Sequence, residues 1–184
     1  MDPERTPLPP LSLILGGARS GKSTLAEAMA LAEARRRGVK AVYLATGRAW
    51  DDEMRARVAD HRARRGPEWE TVEEPLAVAA LLPRLPAGRP VVLDCLTLWL
   101  TNQMMAEADL AAETETLARA LSVAPGPVVC VANEVGMGIV PDNAMARAFR
   151  DAQGRLNQRI AAAADRVVLM AAGLPLVLKG GEGA

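Results

Sequence analysis

The chain has 184 residues, half of them hydrophobic and only 3% aromatic, and its 22 basic and 22 acidic residues leave a formal net charge of zero. This length suits one domain with a full hydrophobic core, and the balanced charge argues against a nucleic-acid partner. No stretch reaches the roughly 18 consecutive apolar residues that a membrane span needs, so none is expected.

The two cysteines, Cys95 and Cys130, each lie in an apolar, strand-like run. This pattern favours buried thiols in a reducing compartment over a disulfide framework. The N-terminal residues also differ from a secretory signal peptide. We therefore expect a soluble protein of the cytoplasm.

Short apolar runs alternate with helical patterns along the chain, which predicts an α/β fold with a mostly parallel sheet covered on both faces. Residues 1–10 are expected to be a disordered leader, 11–179 a single domain and 180–184 a tail. The predicted strands are Leu11–Leu15, Lys40–Thr46, Glu68–Val72, Pro90–Asp94, Pro127–Ala132, Arg166–Ala171 and an antiparallel edge strand, Leu174–Lys179. The first four predicted helices are Lys22–Arg37, which Gly38 ends, 51–65, Pro75–Leu85, and Thr97–Leu121 with a break near Glu107. A fifth helix is capped by Asp142 or Asn143 and runs to Ala164. One face of that helix carries apolar side chains at Met145, Phe149, Ala152, Leu156, Ile160 and Ala163.

A phosphate-binding pattern, G-x-x-x-x-G-K-[ST], lies between the first strand and the first helix. Its glycines let backbone N–H groups point at phosphate oxygens, and the helix N-terminus that follows favours an anion. Lys22 supplies a positive charge for the outer phosphates, and the alternative is a mere glycine-rich turn. The pattern therefore predicts a P-loop NTPase (RecA-like) three-layer fold. Its residues are Gly16, Gly17, Ala18, Arg19, Ser20, Gly21, Lys22 and Ser23.

A magnesium site is predicted beside this loop. Asp94 ends a buried strand, where a carboxylate can hold Mg²⁺ directly or through water opposite the hydroxyl of Ser23. The alternative is that an Asp at a strand end simply starts the next helix, a role that Thr97 could also fill.

His61 is the only histidine. At about 100° per residue, Arg57, Arg64 and Arg65 fall within about 60° of it on one helix face, where they could neutralise a triphosphate. Neighbouring cations would keep the ring neutral and nucleophilic, whereas the helix C-terminus would favour the imidazolium form. The charge of the ring stays open, and a solvated surface histidine is the alternative.

The loop from Asn133 to Pro141 follows a buried strand and should lie on the same rim of the sheet as the P-loop. Asn133 and Glu134 offer polar contacts for a substrate, although the segment could also be an ordinary connection. The N-K-x-D element of switch GTPases is absent from the sequence, which argues against a regulatory module.

Together these segments resemble the bifunctional adenosylcobinamide kinase / adenosylcobinamide-phosphate guanylyltransferase family from about Leu13 to Val177. The matching blocks are 16–23, Tyr43 to Thr46, Asp51 to Met54, His61, Asp94 to Thr97 with Thr101-Asn102, 133–141, Arg150-Asp151 and Gly154 to Gln158.

The resemblance implies two reactions. A nucleoside triphosphate, ATP or GTP, phosphorylates adenosylcobinamide, and GMP then moves from GTP onto that phosphate through a guanylylated histidine, which corresponds to His61. Lys22 and Mg²⁺ would serve both steps. The family also implies a homotrimer. Positions that correspond to guanine-nucleotide contacts are Ala45, Thr46, Gly47, Arg62, Ala63, Arg64, Arg65 and Glu73.

Two departures from the family pattern stand out. Asp60 precedes His61 where some members have a second histidine, and Asp94 stands where Glu also occurs. The first removes ambiguity about the nucleophile, and the second favours metal contact through water because Asp is one methylene shorter. A simple P-loop kinase of a small metabolite remains the main alternative.

Overall fold

The computed structural model describes residues 7–47 and 66–181 of the chain. Its strands are β1 Leu11–Gly16, β2 Ala41–Ala45, β3 Trp69–Glu73, β4 Val91–Asp94, β5 Val128–Asn133, β6 Arg166–Ala171 and β7 Leu174–Lys179. Its helices are α1 Lys22–Arg37, α2 Val78–Leu81 followed by a 3-10 turn at Leu82–Arg84, α3 Leu96–Met105, α4 Leu110–Ser122 and α5 Ala144–Ala163.

One seven-stranded sheet runs through the described residues in the order β3-β2-β4-β5-β1-β6-β7. All neighbouring strands are parallel except β6 and β7, which pair antiparallel. The predicted architecture, a parallel sheet with one antiparallel edge strand, is therefore confirmed. Because β1 lies between β5 and β6, the phosphate-binding pattern starts from the interior of the sheet.

The sheet is covered on both faces, as parallel strands require. On one face α1 packs through Ala26, Met29 and Ala30 against Ile14 and Val131. On the other face side chains of α3, α4 and α5 pack together, among them Trp99, Leu117, Leu156 and Ile160. The core is aliphatic, in keeping with the composition.

Helix ends agree with the local sequence signals. Gly38 ends α1 in the left-handed conformation (φ 67°), and its N–H donates to the carbonyls of Ala34 and Arg35. The side chain of Asn143 accepts the N–H of Ala146 and caps α5. The predicted break near Glu107 separates α3 from α4.

Two expectations differ from the structure. Leu8, assigned to a disordered leader, is buried, and its N–H donates to Glu33 Oε2 at 3.2 Å. Met145, assigned to the apolar face of α5, is 64% exposed, because the first turn of that helix extends past the packed layer. Phe149 packs against the core from the next turn, and Ala152 is the first buried residue of the helix. Residues 1–6 lie outside the described residues.

No helix in residues 7–47 and 66–181 is long and apolar enough to cross a membrane.

Candidate functional site

The phosphate-binding loop leaves the end of β1 and enters α1 through positions that demand glycine. A Cβ atom on Gly16 would lie 2.5 Å from Ser20 Oγ and 2.7 Å from the carbonyl oxygen of Met170. Gly21, the residue before α1, has a φ of 94°, which side chains rarely adopt. The loop is thus wound as tightly as a phosphate cradle requires.

The hairpin formed by β6 and β7 contacts the phosphate-binding loop through a hydrogen bond. The N–H of Gly173, in the turn between β6 and β7, donates to the carbonyl of Ser20 at 3.2 Å. The Ser20 hydroxyl is buried and makes no hydrogen bond with other described residues. Gly17, Ala18 and Arg19 form the exposed side of the loop. This side is the one that a phosphate can approach.

Lys22 folds back over the loop. Only 9% of the residue is exposed, and Nζ donates to the carbonyl of Gly17 at 2.8 Å. Burial lowers the pKa of Lys22, while the nearby Cys95 and Asp94 side chains, when ionised, oppose that shift. Burial also raises the pKa of Cys95 to about 11, so this thiol is neutral near pH 7 and the opposing charge comes from Asp94. The predicted lysine and carboxylate are therefore electrostatic neighbours.

Asp94 ends β4, where its carboxylate is half-buried and accepts a hydrogen bond from the hydroxyl of Tyr43 on Oδ2. The Tyr43 ring is itself buried and packs edge-to-face on Trp69, with 5.8 Å between the ring centroids. Tyr43 thus fixes the orientation of this carboxylate. The side chain of Ser23, in the first turn of α1, is half-buried. A hydroxyl and a carboxylate are oxygen donors of the kind that Mg²⁺ prefers, so these residue types fit the ion.

The end of β2 is locked to the end of β4. The hydroxyl of Thr46 donates to the carbonyl of Cys95 at 2.7 Å and accepts its N–H at 3.0 Å. The Thr46 N–H donates to the carbonyl of Asp94 at 3.1 Å. Ala45 and Gly47 flank Thr46 with partial exposure, and Glu73 lies opposite Ala45 on β3. Four predicted positions therefore lie at one corner of the rim.

Asn133 and Glu134 lie directly beside the phosphate loop. Asn133 pairs with Gly16 in the β1–β5 register, and the N–H of Glu134 donates to the Gly16 carbonyl at 3.1 Å. The backbone of Asn133 is held on both sides, because its N–H donates to Thr97 Oγ1 at 2.8 Å and its carbonyl accepts from Asn157 Nδ2 at 3.1 Å. The expectation that this loop shares the rim with the P-loop is thus confirmed by position.

The supporting residues were missed by sequence reasoning as functional positions. Tyr43, Thr97 and Asn157 act through contacts that join distant segments, and no local pattern encodes such contacts. The only available signal was that these three residues fall inside the blocks that carried the family resemblance.

His61 lies outside the described residues, as do Arg62, Ala63, Arg64 and Arg65. Their roles stay predictions. The described part of the site therefore comprises the phosphate loop, Asp94, the corner formed by Ala45–Gly47 with Glu73, and the Asn133-Glu134 step.

Comparison with known proteins gives the family. The sequence model described as cobinamide kinase / cobinamide phosphate guanyltransferase matches residues 12–178. The bifunctional adenosylcobalamin biosynthesis protein CobP of Pseudomonas aeruginosa is 49% identical over 171 residues, covering 91% of this chain and 96% of the relative. The bifunctional adenosylcobalamin biosynthesis protein CobU of Salmonella typhimurium is 41% identical over 91% of this chain and 98% of its own.

Among solved structures, the flagellar accessory protein FlaH of Methanocaldococcus jannaschii superposes with a TM-score of 0.53 at 11% identity. The superposition covers 98% of this chain and 83% of FlaH, and at this low identity it shows a likeness of fold alone. The family match spans nearly the whole domain and includes the phosphate loop, Asp94 and the Asn133-Glu134 step. The chain belongs to the cobinamide kinase / cobinamide phosphate guanyltransferase family.

Proposed function

We propose that this chain carries out both reactions of its family on adenosylcobinamide. In the first, the side-chain hydroxyl of the corrinoid attacks the γ-phosphorus of ATP or GTP. The bond from that phosphorus to the β–γ bridging oxygen breaks, the nucleoside diphosphate leaves, and the hydroxyl proton passes to solvent. The observation that carries the proposal is the buried Lys22 beside Asp94 in a family member with an intact phosphate loop.

In the second reaction a ring nitrogen of His61 attacks the α-phosphorus of GTP, and pyrophosphate leaves. A phosphate oxygen of adenosylcobinamide phosphate then attacks the same phosphorus, which breaks the P–N bond and frees the histidine. Arg62, Ala63, Arg64 and Arg65 follow His61 directly in the chain. The arginines supply positive charge next to the nucleophile.

Residues of the phosphate loop would hold the triphosphate in both reactions. Backbone N–H groups from Gly17 to Gly21 and the Lys22 ammonium neutralise the phosphate oxygens. Ser23 and Asp94 would hold Mg²⁺, whose chemistry is to draw charge from the phosphate oxygens. Tyr43 orients the Asp94 carboxylate through the hydrogen bond to Oδ2.

The corner formed by Ala45–Gly47 and Glu73 is the proposed place for the guanine nucleotide. Guanine presents an exocyclic amino group and a ring N–H, both hydrogen-bond donors, and a carboxylate is an acceptor for them. Glu73 is an exposed carboxylate at the end of β3, beside Ala45. This chemistry favours guanine over adenine at the corner.

The protein is further proposed to act as a homotrimer in the cytoplasm. Support for self-association comes from apolar side chains on the surface of β7 and the 137–140 loop. All six residues of β7 are exposed, including Leu174, Leu176 and Leu178, and Ile139 is 96% exposed. Exposed apolar patches of this kind mark contact surfaces.

The test is incubation with Mg²⁺ and GTP, followed by intact mass measurement and peptide mapping. We expect a GMP adduct on His61 that is labile in acid and is discharged by adenosylcobinamide phosphate. Tight nucleotide binding without an adduct would contradict the guanylyltransferase half and leave a plain P-loop kinase.

A further inference from the structure

Asn102 is a buried polar residue of α3 that reaches across the top of two strands. Only 2% of it is exposed. Its Nδ2 donates to the carbonyl of Thr46 at 2.8 Å and to the carbonyl of Pro75 at 3.0 Å. Both N–H groups of this amide therefore donate hydrogen bonds to backbone carbonyls, and the two carbonyls belong to different segments.

The two segments meet at the proposed guanine corner. Thr46 directly follows β2, and Pro75 lies two residues beyond Glu73 at the end of β3. The strands are already in register there, because Ala45 pairs with Glu73 and the N–H of Glu74 donates to the Ala45 carbonyl at 3.0 Å. Beyond this last ladder bond, the Asn102 amide connects the two segments through its hydrogen bonds to Thr46 and Pro75.

A second anchor on the same helix behaves differently. Trp99 Nε1 and Gln103 Nε2 both donate to the carbonyl of Leu76, at 3.1 and 2.9 Å. Removing one donor leaves the other in place. Removing the Asn102 amide takes a donor from two carbonyls at once, and one of them, at Thr46, belongs to a buried residue.

We propose that Asn102 is a positioning residue for the guanine nucleotide, which fixes the spacing between the Thr46–Gly47 backbone and the Glu73 carboxylate. The inference rests on the proposed function, since it assumes that GTP occupies this corner for GMP transfer. The phosphate loop lies at the end of β1, and β4 and β5 stand between that strand and β2. Loss of the Asn102 amide is therefore expected to change the geometry of the corner more than that of the phosphate loop.

The experiment measures kinase activity with ATP and GMP transfer from GTP on the same preparations of wild type, Asn102→Asp, Asn102→Ala and Gln103→Met. Asn102→Asp keeps the shape and replaces the donor group by an acceptor that faces two carbonyls. Gln103→Met is the matched control, because it removes a neighbouring buried donor while the Leu76 carbonyl still accepts the hydrogen bond from Trp99 Nε1. The ratio of the two activities does not depend on the fraction of folded protein.

For both Asn102 variants we expect the KM for GTP in GMP transfer to rise about tenfold or more, as for a small misplacement of bound substrate. Kinase activity with ATP and the activity ratio of Gln103→Met should stay within about threefold of wild type. Equal loss of both activities, or an unchanged KM for GTP, would show that Asn102 is only a structural residue. A wild-type protein without GMP transfer would instead overturn the proposed function itself.

Discussion

Lys22 carries its charge where burial disfavours it. The side chain is almost fully enclosed, and its pKa is lowered by that burial, yet Asp94 lies close enough to oppose the shift. Its hydrogen bond to the Gly17 carbonyl holds it over the exposed side of the loop. A triphosphate would compensate this charge more fully than the protein does, and phosphate binding therefore gains from the buried ammonium.

Lys22→Met keeps the length of the side chain and removes the charge. We expect both half-reactions to fall by about 100-fold or more, since removal of one transition-state donor costs that much. Initial rates of phosphorylation and of GMP transfer test this, with thermal unfolding as the control for folding. A variant with one half-reaction at the wild-type rate would contradict a shared phosphate site.

His61→Ala is expected to separate the two activities. The variant should retain kinase activity because phosphoryl transfer needs no histidine nucleophile, and it should form no GMP adduct. The measurement is phosphorylated corrinoid against guanylylated corrinoid by chromatography. Equal loss of both products would argue against a dedicated role of His61.

The thiol of Cys95 predicts the behaviour of the fold at alkaline pH. Burial raises its pKa from 9.0 to about 11. A group that holds its proton more tightly when folded stabilises the fold below its unfolded pKa, and this stabilisation is lost as the pH rises from 9.0 towards 11. The loss is at most about 3 kcal/mol.

Urea unfolding of wild type and Cys95→Ala across this pH range tests the expectation. The free energy of unfolding should fall with pH more steeply for wild type than for the variant. Parallel profiles would mean that the thiol ionises equally well in the folded protein.

At the level of elements, Glu33 connects the last turns of α1 to the segment before β1. Burial alone would raise the pKa of its carboxyl, but hydrogen bonds from Arg36, Arg37 and the N–H of Leu8 outweigh that effect and lower it. A carboxyl with a lowered pKa stabilises the fold above its unfolded value of 4.5, and the stabilisation is lost as the pH falls.

Glu33→Gln should therefore be less stable than wild type at about pH 7 and should lose less stability on transfer to about pH 3. The free energy of unfolding at both pH values gives the answer. Glu107→Gln, in the exposed connection between α3 and α4, serves as the control. The prediction is wrong if Glu33→Gln and Glu107→Gln show the same acid dependence.

Most of the helices and strands could be predicted because their signals are local. The alternation of apolar and charged runs, Gly38 and Asn143 at helix ends, and the phosphate-binding pattern each act within a few residues of one another. The side chains that tie the rim together have no such signal: Thr46 is bonded to Cys95, and Asn102 to Pro75, only once β2, β3 and β4 are side by side.

At the level of the whole molecule, β7 is an exposed edge of the sheet. An edge strand exposed on both faces with three leucines is a contact surface or an aggregation hazard. If β7 forms the contact of the proposed trimer, Leu176→Glu should convert that trimer into monomers because it places a charge in the apolar contact.

Light scattering coupled to size-exclusion chromatography measures that change. Val123→Glu is the matched control, since Val123 is 73% exposed and lies in the connection from α4 to β5, a strand that β1 and β6 separate from β7. Dissociation by both substitutions, or by neither, would argue against β7 as the contact.

The position of β1 between β5 and β6 also affects how the protein is made. A ribosome produces the phosphate-loop residues before it produces β5 and β6, the two strands that flank β1, and before the Gly173 turn that supports Ser20. A nascent chain therefore cannot hold a nucleotide on this loop until β5, β6 and the Gly173 turn have been synthesised. Early release of a truncated chain would leave the phosphate loop without the strands that shape it.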